Sequence, residues 1–273
     1  MKKRYWLILF ILPLSAWSRS PDGSLDILLI PNNGMPAILQ AGASFETRAR
    51  AKGELRLFRD GDQIPLVADW REIAGGIFSA RCTTPPGLAQ GFYALEWVAN
   101  ERSDTNTRSV FIVDSFPVQY SIVHLTDVHI GSNRYPKPSE QIFRELISAV
   151  NQRCAEIGRV WKDRAHEGDA HEEDKDEDAI PPVAFAVVTG DLTESGEMSQ
   201  YAVFLELLDL LEIPTYVCAG NHDRKALNYE HVFYQLYYNF TFGNDGYLVF
   251  DTKDYHIGDE AGPQDGDLER LRQ

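Results

Sequence analysis

Only three cysteines, Cys82, Cys154 and Cys218, occur in the 273 residues, an odd count too small for a disulfide framework. Cys154 reads as lying on the apolar face of a helix and Cys218 inside a buried strand, as small core residues rather than bridge partners. Positive charge is also scarce, with 26 Lys and Arg against 41 Asp and Glu for a formal net charge of −15. Such a balance excludes a general affinity for nucleic acid or anionic membrane, where basic side chains must neutralise phosphates. No apolar run approaches the roughly 20 residues of a membrane-spanning helix. Internal repeats are not apparent. At 44% hydrophobic and 25% charged residues, the composition is that of a folded globular chain and excludes a mainly disordered one.

The longest apolar stretch, Tyr5 to Leu14, follows Lys2, Lys3 and Arg4 and precedes small residues around Ala16 and Ser18. This is the pattern of a secretory signal peptide over 1–18, so export is expected, with no stable membrane span after cleavage. Cleavage removes three positive charges and no negative ones, making the remainder more acidic still.

From about Ser24 to Asp114 short apolar segments alternate with Gly, Pro and Asp turns and no helical period emerges. Glu54–Phe58 and Gln63–Val67 flank Arg59-Asp60-Gly61-Asp62, whose Asp-Gly pair favours a hairpin. Phe92 to Val98 and Ser109 to Val113 read as further strands. The expectation for 19–115 is an all-β sandwich of immunoglobulin or fibronectin type.

Beyond Asp114 apolar strands alternate with helices long enough to cross over a parallel sheet. Strands are expected at Tyr120–Thr126, Val183–Thr189, Thr215–Ala219 and Tyr247–Thr252. Ser139 is placed to cap a helix with Ile142, Leu146, Val150 and Cys154 on its apolar face beside Phe143 and Ile147. A second helix covers Tyr201–Glu212, and a short one Asp265–Gln273. The interruption Lys162–Ile180, with nine acidic and three basic residues plus His166 and His171, reads as a solvated loop.

Three of those strands end in chemistry. Asp127-Val128-His129, Gly190-Asp191 and Gly220-Asn221-His222-Asp223 each follow an apolar run, and ligands of open α/β sheets sit beyond the carboxyl ends of the strands. Asp127, His129, Asp191 and Asn221 offer carboxylate, imidazole and amide oxygen without thiolate, a set suited to Mn, Fe or Zn. Asp191 has two oxygens with which to bridge two divalent ions about 3.5 to 4 Å apart, so that a bridging hydroxide attacks phosphorus. His222 is suited to giving a proton to the departing oxygen, with Asp223 orienting its ring. Each motif alone is common in turns and strand ends; all three in this order are not.

In that order the motifs resemble the calcineurin-like metallophosphoesterases. The strings Leu125-Thr126-Asp127-Val128-His129-Ile130-Gly131, Gly190-Asp191-Leu192-Thr193 and Gly220-Asn221-His222-Asp223 are similar to the branch containing class III cyclic-nucleotide phosphodiesterases. Purple acid phosphatases would have Gly in place of His129 and Glu in place of Asp223. The resemblance covers 118–273. It implies a four-layer α/β/β/α fold, Asp127 and His129 on one metal, Asp191 bridging, Asn221 on the second, His222 as proton donor, and a phosphomonoester or phosphodiester substrate. The family continues to an isolated His and a Gly-His-x-His segment, which this chain does not match. His231 reads as a packing or surface residue, and His256 is given no metal role. The domain is therefore expected to be an incomplete, amino-terminal part of the fold. The competing expectation is a non-catalytic secreted binding protein.

Overall fold

The computed structural model describes residues 23–166 and 180–250. The expected signal peptide, most of the acidic loop, His256 and the helix at 265–273 lie outside them.

Eight strands come first: β1 (Leu28–Ile30), β2 (Ala37–Gln40), β3 (Ser44–Ala49), β4 (Glu54–Arg59), β5 (Asp62–Ala74), β6 (Ile77–Thr83), β7 (Gly91–Ala99) and β8 (Arg102–Val113). They form one sheet in the order β1-β3-β6-β5-β4-β7-β8-β2. The long β5 pairs with β4 through Leu66 and with β6 from Val67 onward. The two halves of the sheet share one core: Leu55, Leu57, Leu95 and Trp97 from one, Phe45, Ala80 and Cys82 from the other. Alternation drives this: in β7, Tyr93, Leu95 and Trp97 are buried and the residues between them only partly so, as a sheet with one wet face requires. The expected hairpin joins β4 and β5, and Asp60 (φ 53°) and Gly61 (φ 94°) both take the left-handed backbone its tight turn needs.

The second part contains β9 (Ser121–Thr126), α1 (Ser139–His166), β10 (Val183–Thr189), α2 (Met198–Leu208), β11 (Thr215–Cys218), α3 (Tyr229–Phe233), β12 (Tyr238–Phe242) and β13 (Asp245–Val249). Strands β9, β10 and β11 form a parallel sheet with β10 central. Leu125, Ala186, Val188 and Val217 face the helices with Phe143, Ile147 and Phe204. Phe185 and Tyr216 face the other way, against Phe242, Phe240 and Tyr247 of the β12–β13 hairpin and Ile38 and Val113 of the first sheet. Burial on both faces explains why β10 reads as an unbroken apolar run.

Three expectations change. The strand expected at 247–252 is β13, which pairs antiparallel with β12 in a separate hairpin. Among the described residues, the four-layer arrangement is therefore represented by one helical layer and one parallel sheet, with this hairpin on the opposite face. On α1 the buried row is Phe143, Ile147 and Ile157, whereas Ile142 and Leu146 are exposed. The helix lies on the sheet along one row, so the neighbouring row turns to solvent. Finally, the Ser139 hydroxyl accepts from Gly131 N (3.0 Å) and Ser132 N (3.2 Å), tying α1 to the loop that follows β9.

The two parts interlock through the segment preceding β2. Val217 N donates to Gly34 O (3.0 Å) and Leu25 N to His231 O (2.8 Å). Tyr216 Oη donates to Pro36 O (3.0 Å) and Asn33 to the Asp209 carboxylate. The open edge of β11 is thereby covered, as exposed strand edges require. Arg108 adds a bond to Leu211 O, with its guanidinium 3.7 Å above the Phe92 ring. A Cβ on Gly34 would lie 2.4 Å from Phe233 Cδ1. Gly34→Ala is therefore expected to cost about 1–3 kcal/mol by overpacking, seen as a lower thermal midpoint; an unchanged midpoint would show that the contact is slack. No helix among the described residues is long and apolar enough to cross a membrane.

Candidate metal centre

Thr126, Thr189 and Cys218 stand in one register row across β9, β10 and β11, so the three strands finish level. The residues that follow them leave the sheet at the same end. Backbone bonds join the first two loops: His129 N to Asp191 O (2.8 Å), Ile130 N to Leu192 O (3.0 Å) and Glu194 N to Ile130 O (3.0 Å).

Asp127, His129 and Asp191 have φ of 55°, 49° and 46°, three non-glycine residues in a region that costs L-residues roughly 1–2 kcal/mol each. Such backbone persists where neighbouring bonds impose it, and it clusters at functional sites. Gly220 permits the approach of the third loop. A Cβ there would sit 2.1 Å from Asp191 N and 2.2 Å from Asp191 Oδ1. Gly220→Ala must push Asp191 aside, and weaker divalent-metal binding at little-changed secondary structure is the expected result; unaltered metal affinity would contradict it.

The side chains converge. His129 Nε2 lies 3.7 Å from Asp127 Oδ1 and 3.5 Å from Asp191 Oδ2. A ring nitrogen of His129, one of His222 and an Asp191 oxygen all fall within 4.8 Å of one another. Donors bound tetrahedrally to one ion at about 2.0–2.1 Å are about 3.4 Å apart, and the distance from His129 Nε2 to each of the two carboxylates is close to that value. Behind His129, Glu194 Oε2 is 3.0 Å from Nδ1, although these buried atoms are not aligned for a hydrogen bond. A carboxylate on the far side of a ligating imidazole is the usual outer support of metal sites. Of the expected residues, His129, Asp191 and His222 are thus brought together and Asp127 approaches His129, while Asn221 is exposed on the adjoining loop.

Asp223 does not orient His222. Fully buried, its carboxylate accepts from Leu192 N (3.0 Å), Thr193 N (3.0 Å), Thr193 Oγ1 (2.9 Å), Gly220 N (2.8 Å) and Tyr201 Oη (3.2 Å). Burial pushes its pKa up against the pull of those donors. Its work is to bind the second loop to the third. The ring of His222 is held by Glu194 instead, with Nδ1 2.6 Å from the Glu194 carbonyl and 3.7 Å from its Oε1; Lys225 Nζ lies 2.8 Å from the same nitrogen. His222 N also donates to Asp191 Oδ1 (2.9 Å).

Sequence reasoning missed Glu194. Burial opposes its charged form, but the charges of Arg134, His129 and His222 outweigh that and hold its pKa below the usual glutamate range. The available signal was a carboxylate three residues beyond Asp191 in the same loop, easily lost among 41 acidic residues. Cys218, beneath the site, has its thiol pushed up to about 11 by burial and offers no thiolate at neutral pH.

The family model of the calcineurin-like phosphoesterases matches residues 120–269. The chain is 42% identical over 43 residues to a probable glycerophosphodiester phosphodiesterase, GpdQ, of Arcobacter nitrofigilis. That stretch is 16% of this chain and 16% of the relative, so the chain matches about a sixth of that protein's length. Among solved structures, a purple acid phosphatase from yellow lupin seeds is similar at a TM-score of 0.38 and 13% identity, over 80% of this chain and 45% of its own. The tandem Ig repeats of Dlar are similar at 0.20 and 19%, over 34% of this chain and 54% of theirs. Both structural likenesses are too distant to define a shared fold. The family match takes in more than half of the chain, including every loop that meets at the end of the parallel sheet, and the protein therefore belongs to the calcineurin-like phosphoesterase family.

Proposed function

We propose that this chain is a metal-dependent phosphoric ester hydrolase whose centre is built from Asp127, His129 and Asp191, with Asn221 reaching a second ion from the rim. The observation that carries the reading is the approach of His129 Nε2 to two carboxylate oxygens, at 3.5 and 3.7 Å, on loops held in left-handed backbone. Divalent ions bound there would supply a water deprotonated near neutral pH as nucleophile and would clamp the oxygens of an in-line displacement.

The chain's own residues do the rest. Asp191 Oδ1 accepts from His222 N, which fixes the carboxylate that faces His129. The Glu194 carbonyl and Lys225 Nζ both engage Nδ1 of His222, which fixes the ring and turns Nε2 away from them. Nε2 is then the atom from which His222 gives a proton to the leaving oxygen. Asp223 holds the second and third loops in register from below.

A phosphodiester is the preferred substrate class, on the motif strings and on the short match to the probable glycerophosphodiester phosphodiesterase. The immunoglobulin-like character of the first sheet rests on its folded-over order and shared core, and export rests on the pattern of residues 1–18.

Metal removal tests the function. The chelated chain should lose hydrolysis of bis(4-nitrophenyl) phosphate and regain it with manganese or zinc. Hydrolysis indifferent to chelation, or absent with every divalent metal supplied, would overturn the reading.

A further inference from the structure

We infer that Arg134 and Lys225 form a cationic rim that selects phosphate esters carrying a second anionic group, such as a carboxylate, close to the phosphoryl. The inference rests on the hydrolase reading and concerns residues outside the metal-binding set.

Arg134 lies five residues beyond His129, and Lys225 three beyond His222, so the two come from different loops. Glu194 brings them together: Arg134 Nη2 is 2.8 Å from its Oε1, and Lys225 Nζ 3.0 Å from its carbonyl oxygen. The charges do not cancel. The Glu194 carboxylate pairs with Arg134, whereas the partners of Lys225 are a carbonyl oxygen and the His222 ring nitrogen (2.8 Å), neither of which is a carboxylate. Among the described residues, the Lys225 ammonium therefore stands beside the ring proposed to serve the leaving group without a carboxylate against it. Arg134 has five N–H donors and a side chain 60% exposed, which leaves donors free on its outer side.

Electrostatics makes this pair selective. The chain carries −15 overall, and Asp127 and Asp191 would be offset by the metal. On a chain this acidic, Arg134 and Lys225 offer an approaching anionic ester positive charge beside the proposed metal site. A neutral substituent gains nothing there, whereas a carboxylate meets a guanidinium fork and an ammonium at once.

Two probes differing in one group test it: glycerol 3-phosphate and 3-phosphoglycerate, titrated calorimetrically into the manganese-loaded full chain. The wild type should bind 3-phosphoglycerate about tenfold or more tightly than glycerol 3-phosphate, a preference that shrinks as salt is raised. The double variant Arg134→Gln, Lys225→Gln should reduce it to about twofold or less, and Arg134→Lys should retain most of it. Equal binding of both probes by the wild type, binding of neither, or a preference surviving in the double variant would each overturn the inference. Hydrolysis of bis(4-nitrophenyl) phosphate by the same samples reports separately on the hydrolase reading, and thermal melting confirms that both variants are folded.

Discussion

Asp191→Asn is expected to reduce metal-dependent hydrolysis by at least about 10²–10³-fold, the usual loss when one charge-stabilising group leaves a catalytic site, while the protein stays folded. The substitution is close to isosteric, and asparagine tolerates the left-handed backbone that Asp191 adopts at φ 46°. Its amide oxygen can keep the bond from His222 N now made to Oδ1. What disappears is the negative charge 3.5 Å from His129 Nε2, which a cation requires. Steady-state hydrolysis together with thermal melting separates the outcomes. Loss of activity with a midpoint shifted by only a few degrees supports a metal-holding role, and retained activity sinks it.

Asp223→Ala should behave in the opposite way and act first on stability. Removing the carboxylate strands the N–H groups of Leu192, Thr193 and Gly220 in an interior where Asp223 is 0% exposed. An unpaired buried polar group costs about 1–3 kcal/mol. A combined loss of about 3–5 kcal/mol is expected, an exceptional value for one substitution. At about 2–4 °C per kcal/mol for a chain of this size, the thermal midpoint should fall by roughly 6–20 °C. Asp223→Asn should fall between, since its amide oxygen can serve some donors while its NH2 opposes others. If Asp223 merely oriented His222, the alanine variant would lose activity with its melting curve unmoved.

The contrast between these carboxylates marks how far the sequence was legible. The positions of Asp127, Asp191 and His222 followed from apolar strands that end in polar motifs, because parallel strands in register deliver their ends to one place. The Asp60-Gly61 hairpin followed from local backbone chemistry. Glu194 and Asp223 could not be assigned in the same way, since a carboxylate's partner is chosen by which loops touch. Asp223 looked like a partner for its neighbour in sequence and proved to bind a loop 30 residues earlier.

Other misreadings have the same origin. Ile142 and Leu146 share the helical period of the α1 core but lie one row too far round to meet the sheet. β13 was expected as a further strand of the αβ series, yet Gly243, at φ 60°, turns the chain back so that β13 pairs with β12. The bonds from the segment before β2 to β11 and α3 join residues some 180 to 200 apart, as in Tyr216 Oη to Pro36 O, and no local pattern announces such contacts.

The most direct test of the central claim is to count divalent ions per chain after exhaustive dialysis, by elemental mass spectrometry, in the wild type and in His129→Ala. The structure predicts at least one retained ion in the wild type. It predicts loss of most of that complement in the variant, because His129 supplies the nitrogen that both carboxylates approach and losing even a supporting residue weakens metal binding about 10–100-fold. A wild type that retains no metal, or a His129→Ala chain that holds as much as the wild type, would contradict the account.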